Sequence, residues 1–252
     1  MANIVNQYGQ VKVGVRTQAG GGGNSIVTNG LILNLDAGNA SSYPGSGTNW
    51  TDLTGNGNNG TLINGVGYSS LNNGSLVFDG VNDWVENLSS TLLNNLSKFT
   101  LNTWFKVNNT SLNNSIFSFG RYGGTMYDIL LGVYGNYLFC QVNNGADGSA
   151  YINGFTSTSW NNVQVVYDGT LSGNSNRLKM YLNGVLLTLT HDYTVPSTTA
   201  NNASGFSLGS YISGNFNNRL FGNIANCLIY NTSLSNTEVT QNFDATKTRF
   251  GL

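Results

Sequence analysis

Few side chains in this 252-residue sequence are of the types that catalyse reactions. His191 is the only histidine, and neither a Gly-x-Ser-x-Gly nucleophile motif nor a His-Glu-x-x-His zinc motif occurs. The two glutamates are Glu86, near the end of a predicted strand, and Glu238, in a predicted helix cap. Glycoside hydrolysis uses two carboxylates about 5–9 Å apart, and no predicted strand carries two acids that face the same way at close spacing. We therefore predict that the chain is not an enzyme, with a glycosidase or lyase as the remaining alternative.

Tyrosines near predicted loops are the candidates for ligand contacts. Sugar recognition uses an exposed aromatic ring beside amide and carboxylate groups that form hydrogen bonds. Four tyrosines lie near turn signals and have Asn or Asp neighbours: Tyr43, Tyr122, Tyr127 and Tyr134. The alternative is that these rings belong to the core or its rim. The tryptophans lie in strand patterns and are predicted core residues, because each can bury a large area: Trp50, Trp84, Trp104 and Trp160.

Composition excludes several classes of protein. Charged residues make up only 8% of the chain, against about 25% in ordinary globular proteins. The net charge is −1 and the 10 Lys and Arg residues are scattered, whereas a nucleic-acid surface needs a dense basic face. No apolar run is long enough to span a membrane, and the first residues lack the pattern of a signal peptide. We expect no nucleic-acid partner and no membrane partner.

The cysteines are too few for a disulfide scaffold. Cys140 and Cys227 are the only two in the chain. Free cysteines are commonly buried, so we predict two buried thiols, with a single disulfide as the alternative.

The elements that must position these side chains are short strands. Asn-Gly and Asp-Gly pairs, which close tight hairpins, separate apolar or alternating segments throughout the sequence. Residues 99–107 alternate cleanly, and Asn183-Gly184 joins the best predicted hairpin. Many short strands at this spacing predict an all-β, two-sheet antiparallel jelly-roll sandwich. Ser235 and Glu238 form a capping-box pattern, which predicts a short C-terminal helix over about 236–246.

The first 24 residues differ from the rest. Val11, Val13 and Val15 alternate with polar residues or glycine and are predicted to form a strand, and the glycines at 20–23 form a flexible linker. Such a segment cannot bury a core of its own. It is either a loose tail or extra strand on its own domain, or an arm that adds a strand to another subunit. We favour the arm, and divide the chain into an anchoring arm with its linker at 1–24 and a sandwich domain at 25–252.

Four segments, in order, resemble laminin-G-like domains that have the concanavalin-A-like jelly-roll fold. The resemblance covers about residues 29–252, and its segments are Leu31–Leu62, Leu76–Val85, Trp160–Gly169 with Met180–Val185, and Phe221–Ser235. It implies that fold but no single function, because the fold hosts lectins, glycosidases, adhesion modules and structural parts. Glycosidase members carry a glutamate-aspartate-glutamate strand that this sequence lacks.

The resemblance also implies a calcium site, because laminin-G-like domains often hold calcium with oxygen ligands from loops such as 52–60. Calcium takes 6–8 oxygen ligands. Asp52 and Asn56 are candidate ligands together with backbone carbonyls, and Asp36 or Asp83 would add charge. The alternative is that Asp52 and Asn56 cap turns through local hydrogen bonds.

Two further segments resemble virion-associated proteins of tailed bacteriophages: residues 35–50, Leu-Asp-Ala-Gly-Asn onward, and residues 242–252. This resemblance implies a structural protein of the virion, a capsid decoration or fibre, assembled in the bacterial cytoplasm. Its arm would hold it to a major capsid or other virion protein, as a homo-oligomer, and its jelly roll would be displayed for binding to surface glycans. The alternative is a monomeric calcium-dependent carbohydrate-binding module or adhesin.

Overall fold

The structure is a computed structural model, and it describes residues 25–120, 128–145, 147–201, 205–211 and 218–252. The predicted arm residues Val11, Val13 and Val15 therefore lie outside the described residues, as do Tyr122 and Tyr127. The arm and the division at residue 24 stay predictions.

Alternating and apolar segments form strands, and the turn pairs between them connect the strands. Asn183 and Gly184 have φ angles of 50° and 79°, as a tight hairpin turn requires. The strands of the described residues are β1 (Leu31–Asp36), β2 (Asn49–Trp50), β3 (Gly60–Ile63), β4 (Gly67–Ser69), β5 (Ser75–Asp79), β6 (Trp84–Asn87), β7 (Lys98–Val107), β8 (Asn114–Phe119), β9 (Ile129–Tyr134), β10 (Tyr137–Asn143), β11 (Asp147–Ile152), β12 (Asn161–Asp168), β13 (Leu178–Leu182), β14 (Val185–Leu186), β15 (Thr190–Asp192), β16 (Phe206–Leu208) and β17 (Phe221–Tyr230). The helices are α1 (Asn174–Arg177) and α2 (Asn236–Thr246), with short 3₁₀ turns at Leu71–Asn73 and Lys247–Phe250.

The strands form two antiparallel sheets. Within the described residues, the first sheet has the order β14-β13-β12-β7-β17-β5-β4. Strand β17 is long enough to pair with β5 along its first half and with β1 along its second half. The second sheet has the order β15-β11-β10-β9-β8-β16-β6-β3-β2. The predicted all-β sandwich is confirmed.

The core lies between the two sheets. Inward side chains of the first sheet, such as Phe105 and Ile224, share one buried cluster with those of the second sheet, such as Phe117 and Val133. Cys227 of β17 and Cys140 of β10 belong to this cluster, and both thiols are buried and free. Burial raises the pKa of both thiols. The prediction of two buried thiols is confirmed.

Helix α2 begins where its capping box predicts. The Ser235 hydroxyl accepts from the Glu238 backbone N–H at 3.4 Å, and Glu238 Oε2 accepts from the Ser235 N–H at 2.8 Å. The helix packs on the side of the first sheet that faces away from the core, where Gln164 Nε2 donates to the Val239 carbonyl at 2.8 Å. Among the described residues, none of the helices is long and apolar enough to cross a membrane.

Residues 25–27 are held by α2. The Val27 N–H donates to Asn242 Oδ1 at 2.8 Å, and the Tyr230 hydroxyl donates to the Val27 carbonyl at 3.1 Å. Gln241 Nε2 donates to the Ser25 carbonyl at 2.8 Å. Residues 25–27 therefore lie on the side of the first sheet that faces away from the core.

Candidate functional site

The second sheet presents a face away from the core. Because successive side chains of a strand point to opposite sides, Ile129, Leu131 and Val133 enter the core, and Leu130, Gly132 and Tyr134 point outward. The same alternation continues across β8, β10, β11 and β15. We call the outward side of these five strands the outer face. Its members are Asp128, Leu130, Gly132 and Tyr134; Tyr137, Phe139, Gln141 and Asn143; Ser118 and Gly120; Ser149 and Tyr151; and Thr190 and Asp192.

Four aromatic rings lie together at one end of the outer face. The rings of Tyr137 and Tyr151 are 5.5 Å apart at 72°, and those of Tyr134 and Phe139 are 5.8 Å apart at 89°. A β-carbon on Gly132 would lie 2.4 Å from the Tyr134 ring, so only glycine leaves room for it. Tyr137 is 45% exposed. We call Tyr134, Tyr137, Phe139 and Tyr151 the aromatic patch.

Polar side chains follow the aromatic patch along the same strands. Gln141 of β10 lies opposite Ser149 of β11, which lies opposite Asp192 of β15. Asp128 precedes β9 by one residue, six positions before Tyr134. At about 3.3 Å per residue, the outer face extends for roughly 20 Å between these two side chains. Ser118, Asp128, Leu130, Asn143 and Ser149 are buried. The exposed or half-exposed side chains of the face are those of the aromatic patch with Gln141, Thr190 and Asp192.

Asp128 is a buried carboxyl group without a complete set of partners. It is 8% exposed, and its Oδ2 has no hydrogen-bond partner among the described residues. Loss of hydration disfavours the charged form, and burial raises the pKa of Asp128 to about 6. Its main-chain carbonyl accepts from the Asn143 N–H at 2.7 Å, which fixes the backbone beside β10.

Gly120 packs closely against Asp128. A β-carbon on Gly120 would lie 3.0 Å from Asp128 Oδ2. The Gly120 N–H donates to the Gly205 carbonyl at 3.2 Å, and a β-carbon on Gly205 would lie 2.2 Å from the Asn87 carbonyl oxygen. The φ angles of the two glycines are +137° and +129°, so both positions require glycine.

The predicted calcium ligands have other partners. Asp52 accepts at Oδ1 from the N–H groups of Asn34 and Thr54, both at 3.0 Å, and at Oδ2 from the Asn58 N–H at 3.2 Å. The Thr54 hydroxyl lies 2.8 Å from each of its oxygens. Asn56 Nδ2 donates to the Ile32 carbonyl at 3.1 Å. These hydrogen bonds correspond to the alternative interpretation, in which Asp52 and Asn56 cap turns.

The two remaining candidates, Asp36 and Asp83, lie in different environments. Asp36 pairs with Arg249 at 2.7 Å. Asp83 Oδ2 accepts from the Asp79 N–H at 3.2 Å, and burial followed by the charge of Asp79 raises the pKa of Asp83. Among the described residues, no group of three or more His, Cys, Asp or Glu side chains is arranged to hold a metal ion. Carboxylate oxygens of Asp36 and Asp52 already accept from protein donors, and the calcium site stays a prediction.

Of the predicted ligand-contact tyrosines in the described residues, only Tyr134 lies on the outer face. Tyr43 is 3% exposed, and its hydroxyl donates to the Gly47 carbonyl at 3.0 Å. Its ring lies 5.6 Å from that of Tyr68, so it packs as a rim residue and the prediction of a surface contact is wrong. Two of the predicted core tryptophans are also corrected, because Trp84 and Trp160 are only half-buried. The Arg219 guanidinium lies 4.8 Å above the Trp84 ring, and Trp160 Nε1 donates to Asn72 Oδ1 at 3.1 Å.

Sequence reasoning missed most of the site. Tyr137, Phe139 and Gln141 alternate after the turn at 135–136, and this period-two pattern of outward side chains was available in the sequence. The burial of Asp128 left no local signal, because it follows from contacts across the sheet, with Gly120 after β8 and Asn143 of β10.

Comparison with known proteins places this geometry in a family. The profile described as the concanavalin A-like lectin/glucanases superfamily matches residues 78–240, more than half of the chain. No curated protein matches the sequence. Similar solved structures include the receptor-binding domain of botulinum neurotoxin type G, with a TM-score of 0.59 and 16% identity over 86% of this chain and 51% of that chain.

Two further structures have the same fold. Trypanosoma rangeli sialidase in complex with sialic acid has a TM-score of 0.64 and 17% identity, over 89% of this chain and 34% of that chain. The binding domain of botulinum neurotoxin DC in complex with SialylT has a TM-score of 0.64 and 13% identity, over 86% of this chain and 52% of that chain. This chain thus spans between a third and about half of the length of these proteins.

The comparisons contradict the prediction that the chain is not an enzyme. Structures with this fold include those of a sialidase, which is an enzyme. Identities of 13–17% show the fold alone, so the likeness assigns no reaction to this chain either.

Proposed function

The chain belongs to the concanavalin A-like lectin/glucanases superfamily, and on that premise we propose that its outer face binds glycans while residues 1–24 anchor it to a bacteriophage particle. The observation that carries the glycan proposal is the aromatic patch, which lies on the same strands as Gln141 and Asp128. Ligand sites combine aromatic surface with a few polar groups that fix orientation, and the outer face supplies both.

Each part of the outer face has a separate task in this proposal. The rings of Tyr137 and Tyr151 offer apolar surface to the faces of sugar rings, and their hydroxyls offer hydrogen bonds at the edge. Gln141 and Asp192, which lie on either side of the buried Ser149 in one register line, face the hydroxyl groups of the next sugar units. The length of the face suits an oligosaccharide better than a single sugar.

The virion part of the proposal rests on the sequence of the arm and on the hydrogen bonds that hold residues 25–27 to α2. The pattern of Val11, Val13 and Val15 suits a strand that pairs with another chain. Ser25 and Val27 are hydrogen-bonded to α2, which covers the side of the first sheet that faces away from the core. An anchor at 1–24 therefore leaves the glycan-binding outer face on the opposite side of the sandwich. We propose that the partner is a capsid or other virion protein, that assembly occurs in the bacterial cytoplasm, and that several copies associate.

A glycan array with matched variants tests the binding proposal. Tyr137→Ala and Tyr151→Ala should each weaken binding of an array hit about tenfold, since an anchoring aromatic contributes more than ~1 kcal/mol. Tyr68→Ala is the control, because Tyr68 is also a partly exposed tyrosine but lies on the first sheet. Equal weakening by all three variants would exclude the aromatic patch as the site. Analysis of the bound glycan for cleavage products reports whether binding leads to hydrolysis.

Deletion of residues 1–24 tests the anchoring proposal. The truncated chain should fold with an unchanged Tm, because both sheets and the core between them are built from residues after position 24. Mass spectrometry of purified particles should detect the full chain and not the truncated one. Equal amounts of both chains in the particles would contradict the arm and favour a free carbohydrate-binding module.

A further inference from the structure

The sequence contains eight Asn-Gly pairs, and all eight lie in the described residues. Asparagine is one of the chemically labile residues of proteins, and a following glycine has no side chain to shield its own backbone nitrogen. The asparagines of these pairs are Asn29, Asn56, Asn59, Asn64, Asn73, Asn144, Asn153 and Asn183. Because all eight share the same dipeptide, the fold must decide which of them can react.

Six of the eight asparagines have a side-chain amide group that is held by a hydrogen bond. Asn183 is held twice, because its Oδ1 accepts from the Asn162 N–H at 2.8 Å and its Nδ2 donates to Asn161 Oδ1 at 3.2 Å. One hydrogen bond to another residue holds the amide nitrogen or oxygen of Asn56, Asn59, Asn64 and Asn73, and Thr198 holds that of Asn144. An amide group fixed in this way must break its hydrogen bonds before it can approach the next residue.

Asn29 is exposed but lies in a turn that packing holds. The Leu31 N–H donates to the Thr28 carbonyl at 3.2 Å and closes the turn around the Asn29–Gly30 pair. A β-carbon on Gly30 would lie 2.9 Å from Asn231 Oδ1, so the turn is packed against a neighbouring segment. The backbone of this pair therefore has little freedom to rearrange.

Asn153 is the least restrained asparagine of the eight. It follows the last pair of β10 with β11, Leu138 with Ile152, and both Asn153 and Gly154 are exposed. Neither the Asn153 side chain nor the Gly154 N–H has a hydrogen-bond partner among the described residues. Gly154 has a φ of +76°, and no atom lies within 4 Å of the place of a β-carbon. No described contact therefore holds Asn153 Cγ away from the Gly154 nitrogen.

We propose that Asn153 is a site of spontaneous deamidation. The Gly154 nitrogen gives its proton to a base in the solvent and bonds to Asn153 Cγ, while the bond from Cγ to Nδ2 breaks and this nitrogen takes a proton from water and leaves as ammonia. Water then opens the resulting succinimide ring. Opening at the side-chain carbonyl gives aspartate, and opening at the main-chain carbonyl gives isoaspartate, so that each reaction consumes one water and releases one ammonia.

The modified residue lies at the end of the aromatic patch. One step beyond the last pair of β10 with β11, the register places Asn153 opposite Tyr137 and two residues after Tyr151. Both products carry a new negative charge, and isoaspartate also lengthens the backbone by one carbon. A carboxylate that a sugar ring covers loses hydration, so the modified chain should bind its glycan more weakly. This consequence for binding rests on the proposed glycan-binding function, whereas the modification does not.

Peptide mapping by mass spectrometry tests the site on the full chain, kept folded at body temperature in mildly alkaline buffer for several weeks. We expect aspartate and isoaspartate at position 153 at a rate about tenfold or more above that at Asn183, the matched control with the same dipeptide and a fixed amide group. Isoaspartate identifies the succinimide route, because direct hydrolysis of the amide gives aspartate only. In urea the two positions should react at similar rates, because unfolding removes the hydrogen bonds of Asn183.

Several results would overturn the inference: equal rates at Asn153 and Asn183 in the folded chain, a faster reaction at any other pair, no product at Asn153, or a product without isoaspartate.

The effect on binding is measured separately. Asn153→Asp should weaken binding of an array hit about threefold or more. Asn29→Asp is the control, because Asn29 is exposed but lies before β1 of the first sheet, and its binding should not change. Equal binding by the two variants would remove the consequence for the outer face. If no glycan binds at all, the proposed function fails while deamidation of Asn153 stands on the peptide map.

Discussion

Arg249 Nη1 donates to Asp36 Oδ1 at 2.7 Å, although 213 residues separate the two in sequence. Both side chains are largely covered. Arg249 also donates to the carbonyls of Asn72 and Gly74. One guanidinium group therefore joins the last 3₁₀ turn to β1 and to the turn before β5.

Arg249→Ala should lower the free energy of unfolding by about 3 kcal/mol, because it leaves a half-buried carboxylate and two carbonyls without their donor. Urea unfolding measures the change. Lys247→Ala is the control, since Lys247 forms an exposed pair with Asp244 and its removal should cost less than ~1 kcal/mol. Similar losses for the two variants would mean that the Arg249 contacts contribute little.

Chelation should leave the melting temperature unchanged. The oxygens of Asp52 already accept from backbone N–H groups and a hydroxyl, and Asp36 is paired with Arg249. Differential scanning calorimetry in EDTA and in millimolar calcium tests this. A Tm that rises by several degrees in calcium and falls in EDTA would instead support the predicted site at loop 52–60.

Asp128→Asn should stabilise the protein at high pH but not at low pH. The folded pKa of about 6 lies above the ordinary 3.8, so folding opposes ionisation of this group. Stability contributed by the protonated acid is present below about pH 4 and is lost as pH rises through about 6. The variant should gain about 2 kcal/mol at pH 8 and almost nothing at pH 4.

Urea unfolding at both pH values measures this difference, and Asp192→Asn, at an exposed position of the same sheet, is the matched control. The same gain at pH 4 and pH 8 would mean that the ionisation of Asp128 is not its cause.

Asn242→Leu should destabilise the contact between α2 and residues 25–27. Asn242 Oδ1 accepts from the Val27 N–H at 2.8 Å, and its Nδ2 donates to the Tyr230 hydroxyl at 3.2 Å, all in a buried position. Leaving these groups unpaired should cost about 2–3 kcal/mol. Gln241→Ala removes one exposed bond to Ser25 and should cost less than ~1 kcal/mol. Urea unfolding and limited proteolysis near residue 25 distinguish the two variants.

Local sequence signals predicted the elements that depend on local chemistry. The hairpin of β13 and β14 follows from Asn183-Gly184, because this pair adopts positive φ at little cost. The start of α2 follows from Ser235 and Glu238, which pair across one turn. Alternation in residues 99–107 likewise indicated β7, and many short strands separated by turn pairs indicated a two-sheet sandwich.

The candidate site depends on contacts between distant segments, and the sequence could not supply them. Tyr43 lies beside a turn and resembles a surface residue, but Tyr68 from β4 covers it. Asp128 lies against Gly120 and beside Asn143, so its burial, which raises its pKa, depends on the pairing of β9 with its neighbours. The family resemblance implied a calcium site at Asp52, while its actual partners are backbone N–H groups brought together by the fold.

The attachment of residues 25–27 to the first sheet has a consequence for copies that share one surface. Under the proposed anchoring through residues 1–24, each copy turns its second sheet away from that surface, so neighbouring copies point the same way. A long polysaccharide with repeated units can then engage several copies at once. Such multivalent engagement raises overall avidity by about 10²–10⁴ over a single contact, so a weak individual affinity is enough to retain a particle on a polymer-coated surface.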